Sequence, residues 1–249
     1  YPWKKHHVNV FDTPGDANFF ADTRSCLQGA DSAIVVVESV DGVKVQTEQA
    51  WDVSDHLALP RLVFINKMDR ERADFRKTFN DITDTFKPKP VLLQLPIGAE
   101  DNFKGVVDLI SQKAYEYGKD GKAKPTEIPS ELQDEAASER EALMENIAEA
   151  DDTLLEKYLE GESLSEEELI NGLRAGTLAR AFVPVLCGSA TKNIGIDLLM
   201  DCINTCLPSP LDRAMLPAED PENGEQKQFK PDPADPFSAL VFKTVADPY

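Results

Sequence analysis

The sequence predicts an α/β fold in which a parallel β-sheet has helices on both faces. Three observations support this prediction. Apolar segments rich in branched residues alternate with helix-like segments through the first 90 residues, as in sheets built from β-α-β units. Two of these apolar segments are continuous runs, which is typical of strands buried on both faces. The segments end in polar residues, and ligands bind at the carboxyl ends of parallel strands.

Three strands and three helices are predicted in this first region. The strands are expected at 7–11, 32–37 and 61–65, and the helices at 18–29, 45–57 and 73–86. Gly29 ends the first helix, and Pro88 and Pro90 close the third, because neither residue type continues a helix readily. The strict alternation favours a parallel arrangement of the strands.

The pattern changes between residues 91 and 181, which we interpret as an inserted α+β subdomain. Short strands are predicted at 91–95, 106–110 and 113–117, with a hairpin turn at 119–122, and a long helix at 130–159 with Ser130 as its N-cap. Ser165 and Glu168 fit a capping box that begins a second helix reaching about Gly176. A strand at 182–186 and a helix at 194–207 return to the first sheet.

The composition restricts the function. The chain has 249 residues and a formal net charge of −19, which argues against a broad basic surface for nucleic acid. No apolar run is long enough to span a membrane, and the four cysteines lack a disulfide framework. We therefore expect a protein of the cytoplasm with reduced thiols that does not bind membranes. A monomer is also expected.

The segment Asn66-Lys67-Met68-Asp69 follows the predicted strand at 61–65. Asp69 can accept hydrogen bonds from N1–H and the N2 amino group of guanine, a donor pair that adenine lacks. Such a mismatch discriminates strongly between substrates and favours GTP over ATP. The stem of Lys67 can lie across the base, and Asn66 can connect neighbouring loops. The alternative is an ordinary strand end followed by a polar loop.

The segment Asp12-Thr13-Pro14-Gly15 follows the predicted strand at 7–11. Asp12 can hold Mg²⁺ through a water molecule, as an Asp at a strand end does in P-loop nucleotidases. The N–H of Gly15 can approach a terminal phosphate because no Cβ blocks it. Pro14 and Gly15 are thus predicted on the phosphate side of the site. An ordinary Pro-Gly turn is the alternative, which the presence of Asn66–Asp69 makes less favourable.

Three motifs occur in the order and spacing of translational GTPases, and the chain resembles those of the bacterial elongation factor G type. The motifs are Asp12–Gly15, Asn66–Asp69 and Cys187-Gly188-Ser189-Ala190. The resemblance covers essentially the whole chain and implies a P-loop GTPase-like sheet that binds GTP or GDP with Mg²⁺. It also implies that Ser189 and Ala190 support the guanine, with the Ala190 N–H reaching O6.

The resemblance also implies a domain division. Residues 1–90 and 182–207 would form part of a GTP-binding domain, and 91–181 its G-prime insertion. Residues 208–236 are expected to be a linker, and 237–249 the first strand of a β-barrel second domain. The family's activity is GTP hydrolysis coupled to movement of transfer RNA and messenger RNA on the ribosome.

The insertion is strongly acidic. Residues 131–168 contain fifteen carboxylates and two basic residues. A solvated helical face is one interpretation. The resemblance implies instead a docking face for the basic C-terminal domain of the ribosomal stalk protein, approached through electrostatic steering. For the whole factor it also implies contact with the sarcin-ricin region of ribosomal RNA.

Two departures from the family pattern affect the expected activity. No Gly-x-x-x-x-Gly-Lys-Ser/Thr motif occurs in the 249 residues, so the fold is expected to be incomplete, with the phosphate-binding loop preceding Tyr1. We expect weak GTP binding and negligible hydrolysis by this chain alone. Asp16 replaces the His with which the family positions the attacking water, so Asp16 is a doubtful catalytic residue beside Gly15.

The sequence is also compatible with two alternative functions. One is a related release-factor or ribosome-protection GTPase, which further domains would distinguish. The other is a non-enzymatic module that binds the ribosomal stalk and part of a guanine nucleotide.

Overall fold

The computed structural model describes residues 1–213, 217–219, 223–228, 231–232, 234 and 237–245. Within these ranges the strands are β1 (Pro2–Trp3), β2 (His6–His7), β3 (Ala33–Glu38), β4 (Arg61–Asn66), β5 (Lys89–Leu92), β6 (Gln94–Ile97), β7 (Gly105–Asp108), β8 (Lys113–Tyr117), β9 (Ala123–Thr126), β10 (Phe182–Cys187), β11 (Pro217–Glu219) and β12 (Gln226–Gln228). The α-helices are α1 (Phe20–Gln28), α2 (Val45–His56), α3 (Phe75–Thr85), α4 (Gln133–Ala148), α5 (Asp152–Leu159), α6 (Glu166–Ala179) and α7 (Ile196–Cys206). No helix among the described residues is both long and apolar enough to cross a membrane.

A parallel sheet with the strand order β3-β4-β10-β5 forms the centre of the molecule. Its two middle strands, β4 and β10, are buried at every position except Asn66. Helices flank this sheet, which confirms the predicted fold class. Because all four strands run in one direction, their carboxyl ends lie along the same edge, where Asn66 and Cys187 end their strands.

The packing of α2 on the sheet depends on a buried arginine. Arg61 is 2% exposed, and its guanidinium lies 4.4 Å from the ring centroid of Trp51. It donates a hydrogen bond to the Trp51 carbonyl at 3.1 Å and pairs with Asp55. Trp51 stacks on Phe86 with ring centroids 4.1 Å apart. These contacts fix α2 at the start of β4 because the charge is both paired and hydrogen-bonded.

A second, antiparallel sheet with the order β6-β7-β8-β9 begins the insertion. The chain passes between the sheets at Leu93, whose N–H donates to Val185 and whose carbonyl accepts from Leu109, both at 2.9 Å. The single strand predicted at 91–95 is therefore two strands in different sheets. The predicted hairpin turn at 119–122 connects β8 and β9.

The single helix predicted at 130–159 is wrong, because this segment is broken into α4 and α5. Asp151 accepts hydrogen bonds from the N–H groups of Thr153 and Leu154 at 3.0 and 3.1 Å, and so begins α5 as its N-cap. Ser130 is not an N-cap, because it lies inside a short 3-10 helix that Pro129 precedes. The Ser165–Glu168 capping box is present at the start of α6.

The strand predicted at 7–11 is also wrong. Strand β2 covers only His6–His7 and pairs with β1, while Val10 and Phe11 are 68% and 48% exposed. An isolated extended segment needs hydrogen-bonding partners to become a strand. In the part of the chain that the structure describes, β3 is the sheet's edge strand, and its Val36 is 56% exposed.

The C-terminal segments differ from the prediction as well. The predicted linker at 208–236 contains the antiparallel pair β11 and β12 within its described residues. Residues 237–245 form no strand. Lys243 pairs with Asp22 of α1 at 2.9 Å, and the ring centroid of Phe242 lies 5.3 Å from that of Phe11, which precedes α1. Residues 246–249 of the predicted second-domain strand lie outside the described residues.

Candidate functional site

The loops that follow β4 and β10 are joined at the edge of the parallel sheet. The Gly188 N–H donates to the Ile65 carbonyl at 2.9 Å, and the Met68 N–H donates to the Gly188 carbonyl at 3.2 Å. Met68 is fully buried. Gly188 is required here, because a Cβ would lie 2.3 Å from the Ile194 carbonyl oxygen. The predicted segments 66–69 and 187–190 therefore form one continuous surface.

Asp69 has a buried carboxylate oxygen without a hydrogen-bond partner on this surface. Its side chain is 10% exposed, and its Oδ1 is the one buried side-chain oxygen or nitrogen among the described residues that lacks a hydrogen-bond partner. The other oxygen, Oδ2, lies 3.9 Å from Lys192 Nζ. A buried polar atom without a partner is unfavourable by about 1–3 kcal/mol, so this oxygen is suited to accept from a ligand donor.

The loop after β10 is held by its own hydrogen bonds. Ser189 is fully buried, and its backbone exchanges two hydrogen bonds of 3.0 Å with Ile194. Its hydroxyl lies 3.3 Å from Thr191 Oγ1 and accepts from the Lys192 N–H at 3.3 Å. Ser189 thus shapes the loop, and the exposed residues at its surface are Ala190, Thr191, Lys192 and Asn193.

Asn66 connects the two loops, as the sequence predicted. Its Oδ1 accepts a hydrogen bond of 3.0 Å from the Ala190 N–H. That N–H is the group predicted to reach guanine O6, so in this structure it is already engaged. A guanine carbonyl would have to share the N–H or displace Asn66 from it.

Lys67 is anchored more firmly than the sequence suggested. Its backbone is left-handed, with φ of 63°, and its carbonyl accepts from Ser39 Oγ at 2.9 Å. Its ammonium pairs with Glu38, the last residue of β3. Sequence reasoning missed Glu38 and Lys192. Their positions depend on the strand order of the sheet, which places the carboxyl ends of β3, β4 and β10 side by side at one edge.

In the described part of the chain, the segment 12–15 forms no hydrogen bond with either of these loops. Asp12 and Gly15 are exposed, and a Cβ on Gly15 would meet nothing within 4 Å. Pro14 is attached to α1, since its carbonyl accepts from Thr23 Oγ1 at 3.3 Å. Among the described residues, no group of three or more His, Cys, Asp or Glu side chains is placed to hold a metal ion.

Asp16 is engaged in a local structural role. Its carboxylate accepts hydrogen bonds of 2.8 Å from both the backbone N–H and the side-chain amide of Asn18. It thereby caps the short 3-10 helix Ala17–Phe19. Both hydrogen bonds go to Oδ1, so a role of that oxygen at a phosphate would compete with the cap.

Cys187, which precedes Gly188 in the second loop, is an unreactive thiol. Cys187 is fully buried at the end of β10, and burial raises the pKa of its thiol above the usual value. A thiol held in its neutral form is a poor nucleophile, so Cys187 acts in packing. The other three cysteines are also free thiols.

Joined loops at the carboxyl ends of parallel strands, with an orphaned carboxylate oxygen between them, place the chain among GTPase-like α/β domains. Residues 1–209 match the elongation factor Tu GTP binding domain family. The chain belongs to this family.

Two known proteins show how far the similarity extends. The chain is 46% identical to an elongation factor G of Neorickettsia sennetsu (strain ATCC VR-367 / Miyayama) over 99% of its own length and 36% of that protein. A solved structure from Thermus thermophilus matches with a TM-score of 0.76 and 34% identity, over 83% of this chain and 31% of that one. The chain therefore spans about a third of each relative.

Proposed function

We propose that the whole protein is a translational GTPase of the elongation factor G type, which couples GTP hydrolysis to movement of transfer RNA and messenger RNA on the ribosome. The buried, unpartnered Oδ1 of Asp69 is the observation that carries this proposal. The relative from Neorickettsia sennetsu, an elongation factor G with 46% identity to this chain, supports the same activity. Translation on the ribosome fits a protein of the cytoplasm.

Asp69 is the proposed guanine-recognising group. Its Oδ1 needs a donor, and its Oδ2 has only a distant cation at 3.9 Å. The N1–H and N2 amino group of guanine are parallel donors, and a carboxylate can accept one hydrogen bond from each. Adenine has neither, so binding it would leave the buried carboxylate without partners.

The surrounding residues are proposed to hold the base in the plane of this carboxylate. Asn66 and Ala190 are linked by a hydrogen bond at one side of the loop pair. Lys67 is held by Glu38, which leaves its aliphatic stem to cover the base. Ser189 supports the loop from beneath. These groups bind and orient the nucleotide and exclude water from its base.

The phosphate side is proposed at Asp12, Pro14 and Gly15. A bound Mg²⁺ ion keeps several of its water ligands and needs few protein ligands. A single carboxylate that hydrogen-bonds to one of these waters would be enough, and Asp12 can supply it. When bound, Mg²⁺ would neutralise charge on the phosphates. The chain alone should bind GDP weakly, because no Gly-x-x-x-x-Gly-Lys-Ser/Thr motif occurs in it. Submicromolar affinity of this chain by isothermal titration would contradict that expectation.

The acidic insertion is proposed to bind a basic partner, the C-terminal domain of the ribosomal stalk protein. Its helices α4, α5 and the start of α6 carry most of the fifteen carboxylates at 131–168. Opposite charge accelerates encounter and disfavours wrong partners. The sarcin-ricin region of ribosomal RNA is a further proposed partner of the whole factor.

Replacing Asp69 with Asn tests the guanine assignment. Asn offers one acceptor and one N–H donor, so it matches xanthine, whose C2 carbonyl replaces the amino group of guanine. In the whole protein we expect D69N to lower GDP affinity at least about tenfold and to raise xanthosine diphosphate affinity. Isothermal titration with both nucleotides measures this.

The neighbouring Asp74→Asn provides the control, because Asp74 caps α3 and accepts from the Lys77 N–H at 2.9 Å. Asn is also a good N-cap, so this variant should keep the nucleotide preference. An unchanged preference in D69N would refute the assignment of Asp69.

A further inference from the structure

A hairpin of the insertion touches the loop that follows β10. Tyr117, the last residue of β8, donates its hydroxyl to Oδ1 of Asp197 in the first turn of α7. Burial and this carboxylate raise the pKa of the Tyr117 phenol above its usual value. The phenol therefore stays protonated and donates at neutral pH.

The tip of the same hairpin makes a second contact. The side-chain amide of Asn193 donates to the Gly121 carbonyl at 3.1 Å. The approach is close, because a Cβ on Gly121 would lie 2.9 Å from Nδ2 of Asn193. Both residues have left-handed backbones, with φ of 68° at Gly121 and 54° at Asn193. The turn at the hairpin tip thus packs directly against the turn in the loop after β10.

Asn193 is directly connected to the proposed base-binding groups. Its N–H donates to the Ala190 carbonyl at 3.2 Å, and the Ala190 N–H donates to Asn66. Lys192, its neighbour in the chain, lies 3.9 Å from Asp69. Asn193 is therefore linked through Ala190 to Asn66, and through its neighbour Lys192 to Asp69.

We propose that the β8–β9 hairpin of the insertion positions the guanine-binding loop, with Tyr117, Asn193 and Asp197 as positioning residues. This inference rests on the proposed guanine site. The two contacts hold opposite ends of one loop: Asn193 holds the turn after Ala190, and Asp197 holds the start of α7. The insertion thus contributes to base recognition without touching the nucleotide.

The test measures release of a fluorescent GDP from the whole protein. Tyr117→Phe keeps the ring and removes the donor, and Asp197→Ala removes the acceptor. We expect each to accelerate GDP release about 3- to 10-fold, the range for one lost hydrogen bond. Asp197→Asn keeps an acceptor oxygen and should restore near-normal release. Tyr115→Phe, on the same strand, is the matched control and should leave release unchanged.

Asn193 is tested with glycine, which tolerates the left-handed backbone and lacks the amide. N193G should also accelerate GDP release. The preference for GDP over ADP, measured by competition, should fall in the variants, because ADP gains nothing from the base loop. A general loss of structure would weaken both nucleotides equally and would overturn the inference.

The outcomes separate this inference from the function on which it rests. A whole wild-type protein that does not prefer GDP over ADP would refute both. A protein with that preference in which Y117F, D197A and N193G release GDP at the wild-type rate would refute only the positioning role. A D197N variant as fast as D197A would refute the Tyr117–Asp197 contact as the cause.

Discussion

Asp16 has a structural role, as the cap of the 3-10 helix Ala17–Phe19, that conflicts with the catalytic role predicted for its position. One oxygen of its carboxylate, Oδ1, accepts two hydrogen bonds from Asn18. Facing a triphosphate instead would cost that cap and bring like charges together. The Asp at this position is therefore better suited to hold the turn than to position water.

Asp16→His is predicted to raise ribosome-stimulated GTP turnover of the whole protein, because a neutral imidazole can position water without repelling phosphate. The same change should lower stability by about 1 kcal/mol through loss of the cap. Turnover is measured as phosphate release with ribosomes, and stability by urea unfolding.

Asp16→Asn separates the two effects, since Asn retains a capping oxygen and loses the charge. It should keep the stability of the wild type. A D16H turnover equal to or below that of the wild type would show that residue 16 does not limit hydrolysis.

Secondary-structure elements were predictable where local pattern and burial agreed. The predicted strand at 61–65 differs from β4 by one residue, because a continuous apolar run fits the centre of a parallel sheet. The predicted strand at 113–117 is β8, which pairs with β7 on one side and β9 on the other. The strand at 7–11 and the unbroken helix at 130–159 failed for physical reasons. A strand depends on a neighbour that sequence does not specify, and the Asp151 carboxylate competes for backbone N–H groups inside an otherwise helical pattern.

The candidate site likewise contains residues that local sequence could predict and residues that only the three-dimensional structure shows. Asn66 and Asp69 could be found because their chemistry is local to one strand end. Glu38 and Lys192 could not, because their roles depend on which strands are neighbours. The contact between Asn193 and Gly121 joins residues 72 positions apart and is visible only in three dimensions.

The crossing of α6 over α4 and α5 depends on a glycine. A Cβ on Gly172 would lie 2.5 Å from Ile147 Cγ2 and 2.7 Å from Leu154 Cδ1. Gly172→Ala should therefore destabilise the protein by about 1–3 kcal/mol through overpacking, despite the roughly 1 kcal/mol gain in helix propensity.

Urea unfolding measures the effect, and Asn171→Ala is the control, since Asn171 is exposed on the same helix. N171A should be neutral or slightly stabilising. A G172A protein as stable as the wild type would show that the helices can separate without cost.

The start of α6 should give the protein a measurable acid sensitivity. The Lys157 ammonium, with the backbone and hydroxyl of Ser165, lowers the pKa of Glu168 from 4.5 to about 2. A carboxyl whose pKa is lowered by folding stabilises the folded state above its unfolded pKa. That contribution is lost as the pH falls from about 4.5 through about 2.

Glu168→Gln keeps the capping oxygen without the charge. The wild type should unfold at a higher temperature than E168Q near neutral pH, and the difference should vanish towards pH 2. Thermal unfolding at low ionic strength detects this small, solvent-screened effect. Glu167→Gln is the control, and a difference between wild type and E168Q that is independent of pH would contradict the assignment.

At the scale of the whole molecule, charge is distributed unevenly between the sheet domain and its insertion. Residues 131–168 hold fifteen of the forty-five acidic residues and two of the twenty-six basic ones. This gives one region a formal charge of −13 out of −19, so the insertion dominates the long-range field. The hairpin contacts at Asn193 and Asp197 connect the same insertion to the proposed nucleotide site.

The proposed stalk interaction should therefore be steered by charge at specific positions. Glu141 and Glu145 are exposed one helical turn apart on α4, and Glu48 and Asp52 are exposed with the same spacing on α2. Neutralising Glu141 and Glu145 as Gln should slow association with the basic stalk domain several-fold at low salt, and the difference should shrink towards 0.5 M salt, where the Debye length is about 4 Å. Stopped-flow association measures this, with Glu48→Gln combined with Asp52→Asn as the control of equal charge change. Equal slowing by both pairs would show that net charge, and not an acidic face on the insertion, governs the encounter.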